Sequence, residues 1–168
     1  MFNLHHSEDV YMPRKKKDGM GDTIWMFDVS GSMEDEAVGA ALSANHDFRK
    51  SGEIQMRRQV LIQYTSEVVS VDFYEPDEDI TFERNGCGGT DVVSAFREAN
   101  SLKQKGLIDP VCWIVMSDMY DIWPPEPEEP VIFISTTPLM HLDADGLPPY
   151  GVIAELHIPE LHDATNCY

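Results

Sequence analysis

Apolar residues in this chain gather in short, dense runs set apart by polar stretches rich in glycine, proline and acid. Residues 24–27 are apolar at successive positions, so a strand over 23–29 buries both faces, as in the middle of a parallel sheet covered by helices. Over residues 34–50 the spacing becomes helical, with Val38, Ala41, Leu42 and Phe48 on one face. Ser32 is placed to cap that helix. Glu34, Asp35 and Glu36 suit the positive end of its dipole, Arg49 and Lys50 suit the negative end, and Gly52 stops it. Residues 60–64 and 68–74 read as a hairpin about Thr65-Ser66-Glu67, followed by an acidic turn at 75–79 and an extended piece at 80–82. The loop Asn85-Gly86-Cys87-Gly88-Gly89-Thr90-Asp91 then opens a second helix carrying Val92, Phe96, Ala99 and Leu102 on one face and closing at Lys103, Lys105 and Gly106. Three further strands are expected at 111–116, 131–135 and 152–156. The first two are joined by a proline-rich acidic connection at 123–130 that cannot be regular helix, and the last two by a long loop at 137–150.

Strands alternating with helices predict an α/β fold: a Rossmann-like, open, mostly parallel sheet with helices on both faces and one antiparallel edge strand. A length of 168 residues suits one domain, read here as 22–158 between an irregular lead-in at 1–21 and a tail at 159–168.

Charge narrows the function. A formal net charge of −18 argues against nucleic acid or an anionic membrane as the main partner, because neutralising phosphates needs basic surface. The one basic cluster, Arg14-Lys15-Lys16-Lys17, reads as a solvated entry to the first strand. Three scattered cysteines, Cys87, Cys112 and Cys167, form neither a disulfide framework nor a metal pair, and point to a reducing, cytoplasmic setting. Cys112, in an apolar run, reads as a small core residue. No signal peptide or membrane-spanning run is evident, and the six histidines show no ligand spacing.

The chemistry sits where the strands end. In an open α/β sheet ligands bind at the carboxyl ends of the strands, and three separate stretches place oxygen-bearing side chains there. They are Asp28, Ser30 and Ser32 after the first strand, Thr90 in the glycine loop, and Asp118 after residues 111–116. Carboxylates and hydroxyls suit magnesium or manganese rather than zinc, which prefers nitrogen and sulfur. The starts of the two helices add positive potential at the same edge.

DxSxS, a distant Thr and a more distant Asp at a strand end resemble the metal-ion-dependent adhesion site of von Willebrand factor A (VWA) domains. Gly88-Gly89-Thr90-Asp91 and Pro149-Tyr150-Gly151-Val152-Ile153 also resemble a bacterial branch in which a VWA-like domain follows a metallopeptidase domain. The likeness covers roughly residues 22–158 and implies a VWA-like fold. It further implies that Ser30, Ser32 and Thr90 touch a divalent cation through hydroxyls while Asp28 and Asp118 act mostly through bound water. One coordination position is then left for the Asp or Glu of a partner protein. By analogy the resemblance also implies an adaptor role beside AAA+ ATPases of the MoxR type, without catalysis. Met119 stands where that branch usually has glycine, which questions the loop beside Asp118; the metallopeptidase half and its HExxH are missing from this sequence.

Each signal has a plainer counterpart. Asp and Ser also favour turns and caps, so DxSxS alone is weak. Asp91 reads as a helix cap or an outer support rather than a ligand, and Cys87 as loop filler rather than a reactive thiol. Tyr120 and Trp123 could form a partner-facing rim or pack the proline-rich loop onto the sheet. A rival function, magnesium-dependent phosphoryl transfer of the haloacid dehalogenase type, needs a second Asp two residues after the first, where this chain has Ser30. A structural subunit with a vestigial site is the third reading.

Overall fold

The computed structural model describes residues 21–51, 57–86 and 88–156. Six strands form one sheet: β1 (Asp22–Asp28), β2 (Gln59–Tyr64), β3 (Val68–Tyr74), β4 (Pro110–Ser117), β5 (Val131–Ser135) and β6 (Val152–Glu155). Their order across the sheet is β3-β2-β1-β4-β5-β6, and every pairing is parallel except that of β2 with the edge strand β3. Among the described residues two α-helices, α1 (Asp35–Ser51) and α2 (Val92–Gln104), follow β1 and β3 in sequence. The chain is therefore the mostly parallel α/β sheet with one antiparallel edge that the alternation predicts.

Central position explains the run of apolar residues in β1. All seven of its residues are buried, and successive side chains alternate between two cores. Ile24 and Met26 pack with Val60, Ile62, Trp113, Val115 and the α2 residues Phe96 and Ala99, while Trp25 and Phe27 pack with Leu61, Ile114 and the α1 residues Val38 and Ala41. Helices thus cover both faces, and each large side chain so buried contributes about 1.5–3 kcal/mol. Trp113 is the largest fully buried residue. It stacks on Phe96 with ring centroids 5.8 Å apart, and its Nε1 donates to the Glu129 carboxylate at 2.9 Å. Lys103 also binds Glu129, which docks the proline-rich connection against α2 without any helix.

Some local expectations change. α1 begins with the Glu34 carbonyl accepting from Val38 N at 3.1 Å, so Ser32 lies short of the helix and does not cap it. The tight turn after Gly31 uses up the residues between, and the Ser32 hydroxyl turns to Ser30 instead. The extended piece at 80–82 lies outside the sheet, with Tyr74 Oη donating to the Thr81 carbonyl at 2.9 Å and Gln63 Nε2 to the neighbouring Glu83 carbonyl at 3.0 Å. Arg49 holds the acidic turn by donating to the carbonyls of Glu75, Pro76 and Glu78. The long loop contains two short 3-10 turns, Leu139–His141 and Ala144–Gly146. At Gly151, φ is 78° and a Cβ would lie 2.7 Å from the Val131 carbonyl, so only glycine fits before β6. Gly52, Cys87, Cys167, His157, His162 and the basic cluster at 14–17 lie outside the described residues.

Candidate metal centre

β1 ends on Asp28, whose side chain is fully buried at the carboxyl edge of the sheet. Its Oδ1 accepts from the Ser30 amide at 2.8 Å, the side-chain-to-backbone turn that Asp makes readily. Its Oδ2 has only a long contact, 3.4 Å, from the Ser117 hydroxyl. The turn brings the hydroxyls of Ser30 and Ser32 within 3.1 Å of each other. Burial raises the Asp28 pKa, and the nearby Asp118 raises it further, against the hydrogen bonds from Ser30 and Ser117. Among the described residues no basic side chain pairs with either carboxylate.

Asp118, nearly buried, follows β4 and accepts from the Tyr120 amide at 3.1 Å. Met119 between them has φ 71°, the left-handed backbone that a glycine would adopt. The departure from glycine therefore keeps the loop's shape. The conformation costs about 1 kcal/mol, offset by burying the Met119 side chain in the α2-side core. Thr90 is carried by the glycine loop, which is tied to the Asp28 turn where Gly31 N donates to the Gly88 carbonyl at 3.2 Å. Asp91 N also donates to the Thr65 carbonyl at 2.8 Å, anchoring the loop to the end of β2.

The two nearest hollows meet at Tyr120. Ser32 and Asp118 line one of about 440 Å³, and Thr90 lines the other, of about 730 Å³. All five oxygen-bearing residues read from the sequence thus fall at one edge of the sheet, with Asp28, Ser30 and Ser32 joined by direct hydrogen bonds and Thr90 and Asp118 on the loops beside them.

Four neighbours of this edge belong to no motif in the sequence. Ser117 bridges Asp28 and the Met119 amide, which it receives at 3.1 Å. Asp121 accepts from Val92 N at 2.8 Å while Asp91, the N-cap of α2, accepts from Val93 N at 3.0 Å. The positive end of α2 is therefore covered by two carboxylates rather than open to the site. Burial, with Asp28 and Asp91 nearby, pushes Asp121 up to about 6 against its bonds from Ile122 and Val92. Tyr64, paired with Asp28 across β1 and β2, has a fully buried hydroxyl without a hydrogen bond of good geometry. Burial pushes its pKa well up, and Asp28 and Asp121 add to this. Arg84, the one basic residue in the acidic stretch 75–91, donates to the Ser30 carbonyl at 2.6 Å and pairs with Asp35, so it braces the turn but leaves Asp28 uncompensated. Of the two candidate rim aromatics, Tyr120 is exposed, whereas Trp123 packs edge-on against Phe133 and donates to the Gly146 carbonyl.

What the edge could hold follows from its donors. Two carboxylates and three hydroxyls suit a hard cation, and the unpaired acceptor capacity of buried Asp28 fits one. Among the described residues no three His, Cys, Asp or Glu side chains gather as a metal cluster.

Sheet order, two covered faces and an oxygen-lined carboxyl edge together define a VWA-like α/β domain. The family model for the VWA-like domain (DUF2201) matches residues 23–157, and the chain belongs to that family. Among solved structures it is similar to the ArnB paralog VWA2 from Sulfolobus acidocaldarius, with a TM-score of 0.51 and 17% identity over 70% of this chain and 35% of that one. The chain thus spans about a third of that protein, and the likeness is one of fold. No curated protein matches the chain.

Proposed function

We propose that this domain is a non-catalytic protein-binding module that grips an acidic side chain of a partner protein through a divalent cation, magnesium or manganese, held by Asp28, Ser30, Ser32, Thr90 and Asp118. The observation that carries the reading is the buried Asp28 carboxylate, whose hydrogen bonds come only from Ser30 and Ser117 and which has no basic partner among the described residues. A desolvated carboxylate is stable only if something compensates it, and a cation does so best. When bound, the ion would offer an open coordination position to one more anionic oxygen. Three of the five donors are neutral hydroxyls, so they leave much of its charge uncancelled. Asp28 and Asp118 would fix its place from two strand ends, and Arg84 holds the turn between the donors by donating to the Ser30 carbonyl. Repulsion by the −18 net charge is screened beyond about 8 Å at physiological salt, so a partner carboxylate can still approach.

A cytoplasmic setting accords with the free thiol of Cys112, and no helix among the described residues is long and apolar enough to cross a membrane. An adaptor role beside a MoxR-type AAA+ ATPase rests on the resemblance alone. Phosphoryl transfer finds no added support: the position for its general acid is Ser30, which bonds to Ser32. Affinity capture with and without chelator, on the parent and on Ser30→Ala/Ser32→Ala, tests the proposal. Proteins lost both with chelator and in the variant are the site's ligands. Equal capture in all conditions rejects it.

A further inference from the structure

The chain reverses direction just after Asp118. Met119 is the one residue other than glycine with positive φ among the described residues, and its side chain turns into the core. The reversal leaves Tyr120 and Ile122 facing outward, 66% and 81% exposed. With Val93 on the first turn of α2, they wall the open hollow of about 730 Å³ that begins at Thr90. Large apolar side chains around a concavity mark a surface meant to be covered.

The hollow also has a charge signature. Asp91 and Asp121 line it, and both already accept backbone amides, from Val93 for the first and from Val92 and Ile122 for the second. A second acid entering there would meet two carboxylates and no compensating base in its lining, whereas an apolar side chain would cover Tyr120, Ile122 and Val93. Position completes the argument. Tyr120 lines both this hollow and the one at Ser32 and Asp118, Thr90 opens this one from the loop tied to the Asp28 turn, and an extended chain advances about 3.3 Å per residue. A segment whose acid reached that edge would carry its next one or two side chains over the hollow.

We propose that this hollow is a side-chain subsite, so that the partner element recognised is an Asp or Glu with a large apolar residue one or two positions away. This rests on the metal-dependent reading above and specifies its partner.

The test is a random peptide library displayed on phage, selected on the intact chain in magnesium and eluted with chelator. The eluted sequences are expected to pair an acid with Leu, Ile, Met or Phe within two positions. On Ile122→Ser, a change at an exposed side chain that leaves the fold intact, the acid is kept and the apolar preference falls about tenfold, the worth of burying one such side chain. Acids enriched without an apolar neighbour overturn the subsite and leave the metal-dependent reading standing. If chelator releases nothing, both fall. Concentration-dependent dimerisation of the free chain that Ile122→Ser abolishes would assign the hollow to a second copy and overturn the proposal.

Discussion

β1 begins and ends on a fully buried aspartate, and the two have opposite surroundings. Asp22 accepts from Arg57 Nε and Nη2 at 3.0 and 2.7 Å, from Arg58 at 3.1 Å and from the Asp109 amide at 2.8 Å. Burial alone would raise its pKa, but these partners outweigh burial and the net shift is downward. Asp28, six residues on, has no such partner and is shifted upward. One carboxylate is a finished structural joint closing the amino end of the sheet. The other is an unfinished one, buried at a cost that the isolated chain does not recover. Identical residues on one strand thus separate by what their neighbours supply, and the carboxyl edge is where a further ligand gains most.

The comparison can be broken from either side. Asp22→Ala takes the shared carboxylate from the Arg57 guanidinium and the Asp109 amide, leaving Arg58 only the Leu107 carbonyl, and should destabilise the fold by about 3 kcal/mol in urea unfolding. A loss under about 1 kcal/mol would mean that the joint is solvated and weak. Magnesium at a hundred times its dissociation constant should stabilise the parent by about 2.7 kcal/mol and leave Asp28→Ala unmoved. Equal thermal shifts for the two proteins would reject the role of Asp28. Without metal, Asp28→Asn removes a poorly compensated buried charge and should be neutral or stabilising by up to about 1 kcal/mol, the reverse of Asp22→Ala.

Acid separates the two ends as well. Asp22, lowered in the native state, confers stability above its unfolded value of roughly 3.9 that is lost as pH falls through the lower native value. Asp28 and Asp121 are raised, so their contribution is fully present below that unfolded value and is lost as pH rises through their native values, about 6 for Asp121. In chelator, unfolding free energy should therefore fall between pH 4 and 7, and Asp121→Asn should flatten the slope. An unchanged slope in the variant would remove Asp121 from this account. A small effect is expected at Met119→Gly, which relieves backbone strain and loses buried surface, for a net loss of about 1 kcal/mol.

Much of this was legible in sequence, for identifiable reasons. β1 declared itself because both of its faces are buried, which leaves no polar alternation. Residues 131–135 were bounded by proline and a polar turn, so β5 falls where the pattern put it. The DxSxS turn is local, and its internal bonds span two residues. Asp121 was not readable: its partner Val92 lies 29 positions away, and nothing around it repeats a known spacing. Tyr64 looked like ordinary strand core, and only its register beside Asp28 gives its hydroxyl meaning. Arg84 could have been found as the lone base in an acidic stretch. Ser32 misled because serine before an acidic helix start is a common cap, and here the Ser30 hydroxyl takes it instead.

The most direct measurement is a crystal structure of the domain grown with manganese, with anomalous scattering used to find the ion. The account predicts one strong peak at the carboxyl end of β1, with oxygens of Asp28, Ser30, Ser32, Thr90 and Asp118 around it, directly or through water. A map with no peak there, or with manganese bound only elsewhere, would contradict it.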